Sequence, residues 1–101
     1  MQLDEIVAEK LRALAQRDRP TDLADLAMIL DRDLVDEGRV RRLAAVKFEL
    51  VKQGDVRGRI EETISRLGAQ YSDVVGAVAP DAPSYSTARQ VVLGRLAALL
   101  P

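Results

Sequence analysis

Lys10, Arg17, Asp22 and Asp25 are the residues of this chain whose types and spacing suit chemistry. On a helix turning about 100° per residue, Leu3, Ile6, Val7, Leu11 and Leu14 share one stripe. Lys10 falls inside that stripe, three residues after Val7 and four before Leu14. A lysine on an apolar face costs free energy unless its stem packs and its ammonium reaches water or an anion. Arg17 follows one heptad later, near the edge of the same face. Asp22 and Asp25 sit three apart on one face of the next segment, in a first turn where the helix dipole favours carboxylates. Two readings stay open. In the structural one, the Lys10 ammonium pairs with Asp22 or Asp25 across an elbow. In the functional one, the ammonium is aimed at a phosphate, and the carboxylates orient it, bind a metal or take a proton.

The elements that must position these groups read as helices almost throughout. Ala, Leu, Arg and Glu dominate, and apolar residues recur at three and four spacing rather than alternating. A first helix is expected from Asp4, as N-cap, to about Arg17. Asp18-Arg19-Pro20 breaks it, because proline disfavours helix in the residue before it. Thr21 or Asp22 caps a second helix to about Leu30. A third runs from about Asp36 to Gln53 and stops at Gly54. A fourth covers about Asp55 to Leu67 and ends at Gly68. A fifth spans about 69–79, before the Pro80-Asp81-Ala82-Pro83 linker. Ser84 or Ser86 caps a last helix to about Leu99, with Tyr85 placed to staple it. The expected fold class is an all-α bundle of five or six helices in a single domain. Within it, residues 1–30 form the first helices, 31–79 the middle helices and 80–101 the linker and last helix.

Composition narrows the chemistry. A chain of 101 residues has room for one small domain. It has no Cys and no His, so disulfides, thiolate metal sites and a His-dependent triad are excluded. Any catalysis must run on Asp, Glu, Lys, Arg, Ser, Thr or Tyr. The acidic start lacks the basic and apolar regions of a signal peptide, and the apolar runs fall far short of the roughly 20 residues of a membrane span. A cytoplasmic chain with no membrane contact is the expectation. Aromatic residues make up 3%, too few for a base-stacking platform.

The net charge of -1 conceals an uneven distribution. Residues 1–37 carry five basic and ten acidic side chains, residues 38–66 eight basic and four acidic, and residues 67–101 two of each. Arg39, Arg41, Arg42, Lys47, Lys52, Arg57 and Arg59 therefore form the candidate basic patch for RNA, or else a solvated helix face.

Residues 9–26, EKLRALAQRDRPTDLADL, with Asp4 to Val7 ahead of them, carry a resemblance more specific than their parts. They are similar to a signature of the AbiEii-type nucleotidyltransferase toxins of bacterial abortive-infection and toxin–antitoxin systems. There the motif follows the catalytic core and starts the helical half of the protein. The likeness spans roughly residues 3–30; the rest resembles the family only as a helical tail with a late proline linker. One position departs: the residue before the first Asp, usually basic, is Thr21.

The resemblance implies transfer of a nucleotide from an NTP to an RNA acceptor. A hydroxyl attacks the α-phosphate, pyrophosphate leaves, and a divalent metal on paired carboxylates stabilises both oxygens. It assigns Lys10 to the triphosphate charge, and Asp22 and Asp25 to positioning the lysine or a metal-bound water. Arg17 would hold the elbow or touch the nucleotide. Arg19, Arg39, Arg41 and Arg42 are further candidates for nucleotide or RNA contact.

The family's Gly-rich turn and strand-borne Asp-x-Asp have no counterpart here. Asp31-Arg32-Asp33 follows the lysine motif and reads as a loop and next-helix cap, and the six glycines are scattered. Three readings follow. The chain completes a nucleotidyltransferase site with a separate catalytic half, Mg2+ and NTP being used only there. Or it is a non-catalytic helical module for an antitoxin or RNA such as tRNA. Or it is a structural domain whose motif is an elbow salt-bridge network. A face left for the absent core implies a homo-oligomer or hetero-complex.

Overall fold

The periodicity is realised as six helices: α1 (Leu3–Gln16), α2 (Pro20–Asp31), α3 (Glu37–Val51), α4 (Val56–Leu67), α5 (Tyr71–Val78) and α6 (Tyr85–Leu99). The computed structural model describes residues 2–32, 35–51 and 55–100, without the side chains of residues 50 and 51. Among the described residues there is no strand, so the fold is all-α. The expected roles of Asp33, Lys52 and Gly54 lie outside the described residues.

Helix α1 is the hub. It packs against α2, α3 and α4, while α6 covers α2 and α3, and α5 lies on α2. Val7, Leu11 and Leu14 of the α1 stripe are fully buried. They meet Leu23, Leu26 and Leu30 of α2, Ile60, Ile64 and Leu67 of α4, and Val92, Leu96 and Leu99 of α6 in one cluster. Full burial of each such side chain is worth about 1.5–3 kcal/mol, and this cluster holds the α1–α2 elbow in place. Large apolar side chains left exposed among the described residues are Leu3, Val46, Val74 and Val78. Val74 and Val78 share a face of α5.

Several helix ends differ from expectation. Helix α1 starts at Leu3 with Gln2 as a cap lacking a side-chain bond. Asp4 instead turns to the start of α3, where its carboxylate accepts from Asp36 N–H at 3.1 Å. Helix α2 begins at Pro20, ahead of Thr21 and Asp22, with extended Arg19 as N-cap. Proline suits a first helical position, having no N–H to satisfy and a preset φ. Asp22 is thereby moved from cap to helix interior and is buried. Helix α4, by contrast, ends at Leu67 with Gly68 as its C-cap, as expected, in right-handed backbone at φ -55°.

Other ends agree with the sequence. Asp36 accepts from Arg39 N–H at 3.1 Å and Asp55 from Gly58 N–H at 3.0 Å. Ser84 caps α6 by accepting from Thr87 N–H at 3.3 Å. Tyr85, expected to staple the last helix itself, ties that helix to α4 and α5. Its hydroxyl donates to the Ile64 carbonyl of α4 at 2.7 Å, and its ring lies 5.6 Å from that of Tyr71.

Candidate functional site: a lysine clamped by two carboxylates

The elbow between α1 and α2 brings Lys10, Arg17, Asp22 and Asp25 together. Arg17 is extended, and its N–H closes α1 on the Ala13 carbonyl at 2.8 Å. Two residues later Arg19 is held extended by the proline that follows. This short reversal lays the first turn of α2 beside the last two turns of α1. Lys10 Nζ then donates to Asp22 Oδ1 and to Asp25 Oδ2, both at 3.1 Å. Arg17 Nε donates to the other Asp22 oxygen at 3.2 Å. This is the pairing of the structural reading, made with both carboxylates at once.

The two carboxylates differ in environment. The Asp22 side chain is 3% exposed and has a cation on each oxygen, whereas Asp25 is 51% exposed. Burial alone would push the Lys10 ammonium toward losing its proton. Its hydrogen bonds to Asp22 and Asp25, with their charges, outweigh that and hold its pKa above the ordinary value. The Tyr71 phenol is pushed up by burial and then by the Asp25 charge.

Lys10 and Asp25 open onto a shallow groove of about 230 Å³, completed by Ile6, Met28, Ile29 and Arg32. An adjoining groove of about 270 Å³ shares Met28 and Arg32 and is also lined by Asp31, Asp81 and Thr87. Arg32 and this apolar wall did not figure among the candidate residues. The available signal was spacing, since Asp25, Met28, Ile29 and Arg32 follow at three, four and seven along one helix face.

The remaining candidates are elsewhere. Arg19 is exposed at the elbow. Arg39 faces Asp4 and Glu5 at 3.8 and 3.9 Å, and Arg41 donates to the Ala97 carbonyl at 3.1 Å. Arg42 is exposed on α3. None of the four lines the Lys10 groove. Lys47 is paired with Glu9 and Arg57 with Glu61, which divides the basic stretch among local ion pairs.

A divalent metal does not fit these residues alone. Both Asp22 oxygens are taken by cations, and among the described residues no three acidic side chains converge. Here the carboxylates hold a lysine.

An all-α bundle with a carboxylate-clamped lysine at its first elbow defines a helical domain with a charged edge. The chain matches the family of the nucleotidyl transferase AbiEii toxin, a type IV toxin–antitoxin system, over residues 1–91, and it belongs to that family. No curated protein and no solved structure matches it. No helix among the described residues is long and apolar enough to cross a membrane.

Proposed function

We propose that this chain supplies the phosphate-binding side of a nucleotidyl-transfer site, and that a separate catalytic half or partner chain completes it. The single observation behind this reading is the Lys10 clamp at the edge of an open groove. The ion pairs alone are what a structural elbow also makes; the open groove that Lys10 lines is what favours the functional role. Here a buried acid, itself fixed by Arg17, holds the ammonium at the groove wall. Two of the three N–H directions of Lys10 are committed to Asp22 and Asp25, and the third remains for a ligand oxygen.

In this role Lys10 neutralises the charge of a bound triphosphate, and Asp22 and Asp25 orient it. Asp22, Asp25 and Arg17 preorganise the cation before the ligand arrives, so little reorganisation accompanies transfer to RNA. Mg2+ and its strand-borne carboxylates belong to the completing half. Arg17 and Arg19 lie at the elbow, within range of an RNA that enters beside the groove. The chain works in association with that half or with a cognate antitoxin, in the cytoplasm, and tRNA is the acceptor to try first.

Label transfer from each NTP to total tRNA with magnesium tests this, run with and without a catalytic core of the same family. Activity that needs the core and is lost in Lys10→Ala supports the reading. Equal activity of wild type and Lys10→Ala refutes it.

A further inference from the structure

We infer that Arg66 of α4 is a positioning residue for Lys10, acting through Asp18 and Arg17 on the acid that holds the ammonium. The inference rests on the reading of Lys10 as a phosphate ligand and assigns part of its preorganisation to a residue outside the groove.

Residues 17–19 join α1 to α2 without belonging to either helix. Arg17 and Arg19 are both extended. In extended backbone, successive side chains leave on opposite sides. Arg17 accordingly reaches Asp22 on α2, whereas Asp18 reaches Arg66 on α4. The direction of the Arg17 side chain depends on how this short segment is rotated about its own axis. Asp18 is the side chain that fixes that rotation.

Its tie to α4 is bidentate. Arg66 Nε donates to Asp18 Oδ2 at 3.1 Å and Nη2 to Oδ1 at 3.0 Å, a fork that fixes direction as well as distance. The guanidinium is also held from its own helix. Nη2 donates to Thr63 Oγ1 at 3.2 Å, and a Glu62 oxygen lies 3.6 Å from Nη1. Thr63 is buried, and Ile60, Ile64 and Leu67 seat α4 in the core. An exposed ion pair between two swinging side chains contributes little. This one has one end braced on a packed helix and the other in a three-residue connection, so it orients the connection.

From Asp18 the constraint passes along the backbone to Arg17. Arg17 Nε then holds Asp22 Oδ2 at 3.2 Å, which leaves Oδ1 facing Lys10 Nζ at 3.1 Å. Arg57 supplies a contrast on the same helix. It is as exposed as Arg66 and pairs with Glu61 of α4 itself, at 3.1 Å, with no tie to the connection.

Exchange of the Lys10 ammonium protons with water, followed by nitrogen-15 NMR on the full chain, reads the clamp without nucleotide, RNA or a catalytic core. Arg66→Ala is expected to speed it about fivefold, the coupling of one exposed ion pair, and Asp18→Asn by a similar factor. Arg66→Lys keeps the charge but loses the fork, and recovers part of the protection. Arg57→Ala leaves the exchange unchanged, although it too loses an exposed ion pair of α4. Exchange in Arg66→Ala equal to wild type overturns the inference, as does an equal acceleration in Arg57→Ala. Arg66-dependent exchange with transfer indifferent to Lys10 would sink the transfer reading alone; Lys10-dependent transfer with Arg66-independent exchange would sink this one alone.

Discussion

Asp22 Oδ2 lies 3.2 Å from Arg17 Nε, on the side of the carboxylate opposite Lys10. The acid at the start of α2 is therefore compensated on both oxygens, and the elbow is an ion cluster with no net charge. Asp22 is 2% exposed, so removing it strands two cations that cannot regain full hydration around it.

Asp22→Ala is expected to destabilise the fold by about 1–3 kcal/mol, below the range for fully buried pairs because Lys10 and Arg17 are partly exposed. Asp25→Ala should cost less than about 1 kcal/mol, as for surface pairs. Chemical denaturation of both variants checks the asymmetry. Equal losses would mean that the burial difference between the two acids has no energetic consequence.

Two glycines should respond to alanine with opposite sign. A Cβ at Gly68 meets the Tyr85 ring at 3.1 Å, and that ring is fixed by the Ile64 carbonyl and by Tyr71. Gly68→Ala is expected to cost about 1–2 kcal/mol through overpacking. A Cβ at Gly94, inside α6, meets nothing within 4 Å. Gly94→Ala should stabilise by about 0.4–1 kcal/mol, by restricting the unfolded chain and favouring helix. Thermal melts of the pair compare them directly, and a shift in the same direction for both would contradict the packing described around Tyr85.

Stability should fall at both ends of the pH scale for identifiable reasons. Glu9 is held below its ordinary carboxylate range, first by Arg12 and then by Lys47 against opposing burial. Asp18 is held down by Arg66, whose Nε and Nη2 lie 3.1 and 3.0 Å from its two oxygens. Groups with depressed folded values stabilise above the unfolded value, and that stability is lost as pH falls below about 4. Lys10 has the opposite sign. Its value is raised, so its contribution is complete below about 10 and is lost as pH rises beyond it. Melting midpoints against pH should show a shallower acid limb in Arg66→Ala and a shallower alkaline limb in Asp25→Asn. Unchanged limbs would reassign the titration to other groups.

The helices were legible because an apolar stripe at three and four spacing survives in each of them, α1 most plainly. Lys10 was legible for the same reason: it interrupts Val7, Leu11 and Leu14 on the buried face. At the start of α2 two signals compete. Thr21 and Asp22 favour a cap, but Pro20 fits the first helical position, and the helix starts there, two residues earlier than a Thr21 cap allows. That shift buries Asp22 and turns a capping acid into the anchor of the clamp. Tyr85 was misplaced because its partners, Ile64 and Tyr71, come from other helices. Ile6 and Arg32 line one groove from different helices, a neighbourhood that spacing along one helix does not show.

The dependence of nucleotidyl transfer on Lys10 tests the central claim most directly. Labelled NTPs, magnesium and total tRNA would be combined with this chain, a catalytic core of the same family, or both. The expected result is transfer only with both, falling at least about 100-fold in Lys10→Ala, as for loss of one preorganised charge contact, while the variant still folds. Transfer by both chains together that is indifferent to Lys10, or transfer by this chain alone, would contradict the account.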